Sequence, residues 1–149
     1  MKRVLVSICA AILLVLSFTL CACGDDNGGT YYPDSKEMTH NLEKRGYTVE
    51  VTTELEGKSG TFLHATKSGD FIYFYWLNNG DDCDYFEDYL KQLCFHYLSN
   101  GLLMPEDFVE IKNDEKYGNL LYVGIGAAIN DAGIKVVKTD VKVDVDVKV

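Results

Sequence analysis

The chain has 149 residues, 47% of them hydrophobic, with 14 basic and 23 acidic side chains. This average combines two populations, because residues 4–22 hold no charge and are almost entirely apolar. Without residues 1–22, the remainder carries 12 basic and 23 acidic groups, a net charge of −11. Such a surface repels phosphate backbones and anionic headgroups, so the composition argues against nucleic-acid binding. The remaining 127 residues are enough for one self-sufficient core.

The amino terminus has the layout of a secretory signal, with Lys2 and Arg3 ahead of an apolar run that ends in Leu-Cys-Ala-Cys at residues 20–23. This ending resembles the lipobox of bacterial lipoproteins. The resemblance implies that residues 1–22 are a signal peptide and that Cys23 becomes the lipidated first residue. Acyl chains such as palmitate on Cys23 would then anchor the domain on the extracytoplasmic side of the cell membrane. The alternative is an uncleaved transmembrane helix, since the run is about long enough to span a bilayer.

Three further regions follow the predicted signal. Residues 23–33 are polar and rich in glycine, which predicts a flexible tether with an average reach of about 17 Å. Residues 34–134 form the predicted single domain. Residues 135–149 alternate valine with lysine or aspartate, which fits either an edge strand or a disordered end.

The predicted elements of the domain follow from capping residues, alternation and turn signals. In chain order they are a helix over residues 34–45, strands over 47–54, 61–67 and 70–77, a long helix from 78–84 to about 100, a hairpin of 108–112 with 119–124, and a short helix over 127–132. The prediction is an α+β fold. It has an antiparallel sheet of about five strands, with the long helix on one face and short helices at each end.

The two-residue turn at Ser68 and Gly69 fixes the register of its hairpin, so the predicted pairing can be checked for consistency. Pairing Lys67 with Asp70 collects apolar side chains on one face. These are Tyr47, Val49, Val51, Leu63, Ala65, Ile72, Phe74 and Trp76. We expect this face to be the core face and the long helix to cover it.

The opposite face is the candidate binding surface. The same register forms one row of Glu50, His64 and Tyr73, flanked by rows that contain the aromatic residues Phe62, Phe71 and Tyr75. If this face is open, it is an aromatic platform that could stack sugar rings or anchor a protein partner. The alternative is that these aromatic residues only pair across strands and stabilise the sheet, or are covered by another element.

Catalysis has weak support in the sequence. Glu50 and His64 could act as an orienting carboxylate with a general base, but no nucleophile lies beside them, and a surface ion pair explains them as well. Cys83 and Cys94 fall in one predicted helix, too far apart to form a disulfide with each other. Cys94 lies on the apolar stripe, and Cys83 is at the helix start, where a thiol can be acidified.

The sequence predicts no metal site and no cofactor. Asp81, Asp82 and Asp84 suggest calcium, but their spacing does not match an EF-hand, and helix capping explains them. The three histidines, at positions 40, 64 and 96, lack metal-ligand spacing. The run GIGAAI at residues 124–129 has isoleucine in place of the third glycine of a dinucleotide fingerprint, so it is interpreted as a tight turn from strand to helix.

The runs GYTVEV at residues 46–51 and GNLLYVG at 118–124, which leads into AAI at 127–129, resemble small lipoproteins of Gram-positive, clostridial-type bacteria. The resemblance covers residues 1–135 at the level of layout, and it implies location and architecture but no activity. We therefore expect a lipid-anchored, non-enzymatic module that binds a small molecule or a protein. The alternatives are a surface enzyme, hydrolase-like or thiol-based, and a structural accessory subunit of an envelope complex.

Overall fold

The computed structural model describes residues 29–136, so the predicted signal, Cys23 and the tail beyond Val136 lie outside the described residues. The strands are β1 (Thr30–Tyr31), β2 (Thr48–Leu55), β3 (Lys58–Lys67), β4 (Asp70–Leu77), β5 (Val109–Asp114), β6 (Gly118–Ile125) and β7 (Lys135–Val136). The helices are α1 (Ser35–Lys44), α2 (Asp81–Leu93), α3 (Phe95–Ser99) and α4 (Ala128–Asp131), with a 3-10 turn at Pro105–Asp107.

Five strands form one antiparallel sheet in the order β2-β3-β4-β6-β5, which confirms the predicted α+β class. The predicted hairpin register is also confirmed, since Lys67 pairs with Asp70 and Leu63 with both Val51 and Phe74. A separate two-stranded ribbon joins β1 to β7. Strand β7 is therefore the only part of the predicted tail within the described residues.

The first helix forms where its capping residue predicts. The Asp34 carboxylate accepts hydrogen bonds from the backbone N–H groups of Lys36 and Glu37, both at 2.9 Å. These bonds satisfy two donors that a helix start otherwise leaves unpaired. Met38 and Leu42 are fully buried on the side of α1 that faces the sheet.

One face of the sheet, which we call the α1 face, is covered by α1, α4 and the segment around Tyr32. Leu63, Ala65, Ile72 and Phe74 are fully buried there, as the alternation predicts. The expectation that the long helix covers this face is wrong. Val51, assigned to the same core face, lies in the edge strand and is 44% exposed.

The long helix instead covers the opposite face, which we call the α2 face. Phe86 and Leu90 of α2 pack there with Phe62, Tyr75 and Leu121 of the sheet. The predicted continuous helix is divided at Cys94, after which α3 forms a short second helix. Among residues 29–136, no helix has the length and apolar character needed to cross a membrane.

The central strands explain why both faces are covered. From Phe71 to Leu77, every residue of β4 is apolar or aromatic, and residues 120–123 of β6 are apolar without interruption. A strand with one solvated face alternates, whereas a strand buried on both faces is apolar throughout. The sheet therefore needs cover on each side, and two sets of helices supply it.

Candidate functional site

The predicted pairing of the residues on the candidate binding face is confirmed, but most of this face is not exposed. Glu50 pairs with His64 and His64 with Tyr73, as expected. Phe62 and Phe71 are each only 2% exposed, however, and Tyr75 is fully buried. They lie within the α2 face. Of the two alternatives for this face, coverage by another element is the one observed, because helix α2 and the residues that follow it cover most of the face.

Part of this face remains accessible where the helices do not reach the outer strand. Thr48, Glu50 and Thr66 are exposed there, and His64 and Tyr73 are partly buried. These five residues line a cleft of about 190 Å³. A neighbouring cleft of about 470 Å³ shares three of them and extends to Tyr97 of α3. We call the combined feature the polar groove. Its lining includes Thr48, Glu50, His64, Thr66, Tyr73 and Tyr97, together with Gly46 and residues 67–71.

His64 connects the polar groove to the buried core. Its Nε2 atom lies 2.7 Å from the Tyr75 hydroxyl, at hydrogen-bond distance. Its ring centroid is 4.6 Å from that of Tyr73 and 5.6 Å from that of Tyr75. Burial lowers the pKa of His64, and the nearby charge of Glu50 opposes this shift. The imidazole is therefore held neutral near pH 7, with one nitrogen paired to a buried phenol.

The aromatic wall of the groove is rigidly supported. The Tyr73 ring stacks on Phe71 with a centroid separation of 4.9 Å, and Tyr97 lies 4.8 Å from the same Phe71 ring. Burial raises the pKa of Tyr73, so its hydroxyl stays protonated and can both donate and accept a hydrogen bond. The groove thus combines two tyrosine rings, a neutral imidazole and two threonine hydroxyls with the charged side chains of Glu50, Lys67 and Asp70.

Sequence reasoning placed Glu50, His64 and Tyr73 at this site but missed Tyr97. The sequence predicts Tyr97 within the one long helix that runs to about residue 100. It instead belongs to α3, which begins after the helix divides at Cys94. Two glycines also line the groove: Gly46, between α1 and β2, and Gly69, in the turn between β3 and β4. The interruption at Cys94 has no capping signal in the sequence that would have identified it.

Both cysteines of the described domain are fully buried free thiols. Burial raises the pKa of Cys83 to about 11, and that of Cys94 to about 11 as well. The expectation that the helix start acidifies Cys83 is therefore wrong, because desolvation outweighs the helix dipole at this position. The prediction that Cys94 is a core residue is confirmed.

The acidic first turn of α2 fastens that helix to the rest of the domain. Asp82 is buried and accepts hydrogen bonds from Lys58 and Asn79, while Asp84 is exposed and bonds Lys112 at 2.9 Å. Asp84 does not cap the helix as predicted. The side-chain oxygen of Asn79 instead accepts from the backbone N–H of Asp82.

One group of carboxylates on the described part of the chain has the proximity that a metal ion requires. Oxygens of Asp84, Glu87 and Glu110 lie within 4.8 Å of one another. Lys112 bridges Asp84 and Glu110, and Lys91 pairs with Glu87 at 2.6 Å. These lysines occupy the position of a cation, so the group is accounted for as an ion-pair network.

The turn after β6 is a structural junction. Gly126 adopts φ +64°, and a Cβ added there would overlap the carboxylate of Asp70. That carboxylate accepts a hydrogen bond from the backbone N–H of Ala127 at 3.3 Å. The carboxylate thus occupies the start of α4, where a nucleotide phosphate would have to lie, in agreement with the interpretation of this run as a tight turn.

No protein-family model, curated protein or solved structure matches this chain. Function must therefore be inferred from the residues themselves.

Proposed function

We propose that this protein is a membrane-anchored extracytoplasmic lipoprotein whose domain binds a neutral, hydroxyl-rich ligand, such as a short glycan, in the polar groove. The observation that carries the proposal is the groove itself, an uncovered part of the α2 face. Apart from the groove residues, the aromatic residues predicted for this surface are buried. A polar, aromatic-walled cleft at the border of a largely covered sheet face has the composition of a small-molecule site.

The residues of the groove favour a sugar over other ligands. Tyr73 and Tyr97 offer aromatic surface to the apolar face of a sugar ring. Glu50, His64 and the two threonines offer acceptors and donors for hydroxyl groups. A net charge of −11 beyond residue 22 disfavours phosphorylated or otherwise anionic ligands.

The proposed location rests on the amino-terminal sequence. Leu20, Ala22 and Cys23 have the lipobox arrangement, and the two positive charges precede the apolar run. A tether with a reach of about 17 Å would hold the groove close to the envelope polymers. Two free thiols in the domain suit an export route that does not force oxidation.

The groove is tested by titrating the full-length chain in non-ionic detergent with the tetramer of N-acetylglucosamine, by calorimetry. We expect binding that is lost in Tyr73→Ser and weakened in Glu50→Gln. Tyr85→Ser is the matched control, because Tyr85 is 45% exposed on α2 away from the groove. Absence of binding to the tetramer and to other neutral glycans would contradict the sugar proposal, as would equal losses in Tyr73→Ser and Tyr85→Ser.

The anchor is tested separately. Cells that express the full chain are treated with globomycin, which blocks the lipoprotein signal peptidase. We expect a slower-migrating precursor to accumulate, and Cys23→Ser to abolish the membrane-bound mature form. Unchanged migration after treatment would favour the uncleaved transmembrane helix.

A further inference from the structure

The two edges of the sheet are protected to different degrees. Strand β5 at one edge contains the extra residue of a bulge, since two residues between Ile111 and Asp114 oppose one residue of β6. Asn113 within it has φ +54°, and Lys112 bonds across to Asp84 of α2. A bulge on an edge strand and charged side chains beside it both prevent further strand addition.

Strand β2 at the other edge has no bulge of its own. Its pairing with β3 is also irregular, but here the extra residue lies in β3, because two residues of β3 oppose one residue of β2 between Thr52 and Glu54. The edge strand itself therefore stays regular over Thr48–Leu55. Among residues 29–136, no strand pairs with its outer side.

An apolar cleft runs along this regular edge. It has a volume of about 380 Å³ and lies between one side of α1 and Val51 of β2. The α1 side that lines it carries Lys36, Thr39, His40 and Glu43. Val51 is the most exposed of the side chains predicted for the core face, at 44%. An exposed apolar residue at the centre of a regular edge strand is a feature that proteins usually cover.

We propose that β2 pairs antiparallel with β2 of a second copy of this chain, about a twofold axis through Val51, to form one continuous ten-stranded sheet. Opposed residues in such a pair lie on the same face, so a twofold axis perpendicular to the sheet must pass beside a residue of β2. Centring the axis on Glu50 opposes the two Glu50 carboxylates, and centring it on Thr52 opposes Glu50 with Glu54 in both directions.

An axis at Val51 avoids these repulsions and pairs the largest number of β2 residues in the two copies. It places Glu50 opposite Thr52 and Glu54 opposite Thr48 of the second copy, with the two Val51 side chains facing each other. Like charges directly opposite one another destabilise a sheet, whereas β-branched pairs stabilise it. The sequence of β2 is thus compatible with itself in this register.

Helix α1 would add to the same contact. It packs over both β2 and β3, so its axis lies about one strand spacing from the proposed twofold axis. The two copies of α1 would then run antiparallel about 10 Å apart, which is the usual packing distance for helices. The end of α1 that carries Lys36 would lie beside the end that carries Glu43 in the second copy. These opposite charges complement each other.

Disulfide cross-linking of the full-length chain in isolated membranes tests this register. Val51→Cys places two thiols across the twofold axis, where opposed Cα atoms of paired strands lie within disulfide range. Thr53→Cys is the matched control, because it is exposed on the same face of the same strand but opposes Val49 in this register. After mild oxidation we expect a reducible band of twice the chain's mass for Val51→Cys, and only the wild-type background for Thr53→Cys.

Equal cross-linking of the two variants, or none above the wild-type background, would overturn the proposal. Cross-linking that appears only after residues 137–149 are removed would also overturn it. That result would mean that the chain's own tail occupies the edge in the full-length protein. Cys83 and Cys94 are buried, so they serve as a folding control. In each folded variant, these two thiols should not react with a thiol reagent unless denaturant is added.

A charge exchange on α1 provides a second test. In the Val51→Cys chain, Lys36→Glu or Glu43→Lys alone should reduce the cross-linked fraction, and the two together should restore it. Both side chains are exposed on α1, so neither change should affect folding. Equal yields in all four chains would show that the helices do not meet, and would contradict the proposed arrangement.

Discussion

The α1 face and the α2 face of the sheet both bury aromatic side chains, including tyrosines, but among residues 29–136 only the α2 face buries thiols and continues into the polar groove. The α1 face contains a stack of Phe74 on Tyr122, with ring centroids 5.0 Å apart. The α2 face buries two thiols and the Tyr75 hydroxyl, and it meets His64 at its open end. One face is therefore mainly a packing core. The other is a core that continues into a polar cleft.

The largest expected loss of stability comes from truncating a buried side chain in the core of the α2 face. Phe86 is fully buried and lies 5.0 Å from Phe62 and 5.4 Å from Tyr75 between ring centroids. Phe86→Ala should reduce the free energy of unfolding by about 3–5 kcal/mol, as should Phe74→Ala on the α1 face. Urea unfolding of residues 24–149 measures both.

Phe95→Ala is the control for this pair, because Phe95 is 69% exposed and should change stability by less than about 0.5 kcal/mol. If Phe86→Ala behaved like Phe95→Ala while Phe74→Ala remained costly, helix α2 would not pack as described.

The next largest loss of stability concerns the contact between Asp70, at the hairpin of β3 and β4, and the turn that precedes α4. Gly126→Ala places a methyl group against the Asp70 carboxylate in a backbone region that alanine rarely adopts. We expect a loss of about 1–3 kcal/mol. Gly46→Ala has a similar positive φ but no atom within 4 Å of the added Cβ, so it reports the backbone strain alone. Equal losses in the two variants would mean that the contact with Asp70 is unimportant.

A smaller effect tests the polar content of the α2 face. Tyr75→Phe keeps the ring and removes the hydroxyl that lies 2.7 Å from His64 Nε2. We expect a loss of about 1 kcal/mol in urea unfolding, since a partly buried nitrogen loses its partner. Tyr85→Phe, at an exposed position, should leave stability unchanged. An unchanged stability in Tyr75→Phe would show that water replaces the phenol at no cost.

The smallest effect is a pH dependence. Burial lowers the pKa of His64 in the folded chain below its usual 6.5, so the unfolded chain binds the proton first as the pH falls. The stability that the neutral imidazole contributes is complete above about pH 6.5 and decreases as the pH falls through and below that value. Replacing His64 with glutamine should therefore flatten the stability profile between pH 7.5 and 5.

The sequence predicted the strand pairing well, because a two-residue turn and alternating residues determine register. It failed on what covers each face. Residues 71–77 of β4 were interpreted by alternation, although an uninterrupted apolar run indicates burial on both sides. The sequence therefore did not decide whether Phe62, Phe71 and Tyr75 lie on an open surface or are covered by another element.

The groove was only partly predictable for a related reason. Glu50, His64 and Tyr73 are close in the sheet register, so the sequence placed them together. Tyr97 joins them only because α2 ends near Cys94 and α3 continues over Phe71. This depends on the packing of the whole α2 face, which no local signal records. The burial of Cys83 was missed for the same reason.

The carboxylate of Asp70 has a consequence for recognition. Asp70 follows the turn at Ser68 and Gly69, and all three residues line the polar groove. Its bond to Ala127 fastens this turn to the helix on the other side of the sheet. The turn is thus ordered before any ligand arrives, and binding need not supply the roughly 0.5–1.5 kcal/mol that immobilising each mobile side chain would cost. A hydrated ligand that makes only weak contacts gains the most affinity from such a preorganised site.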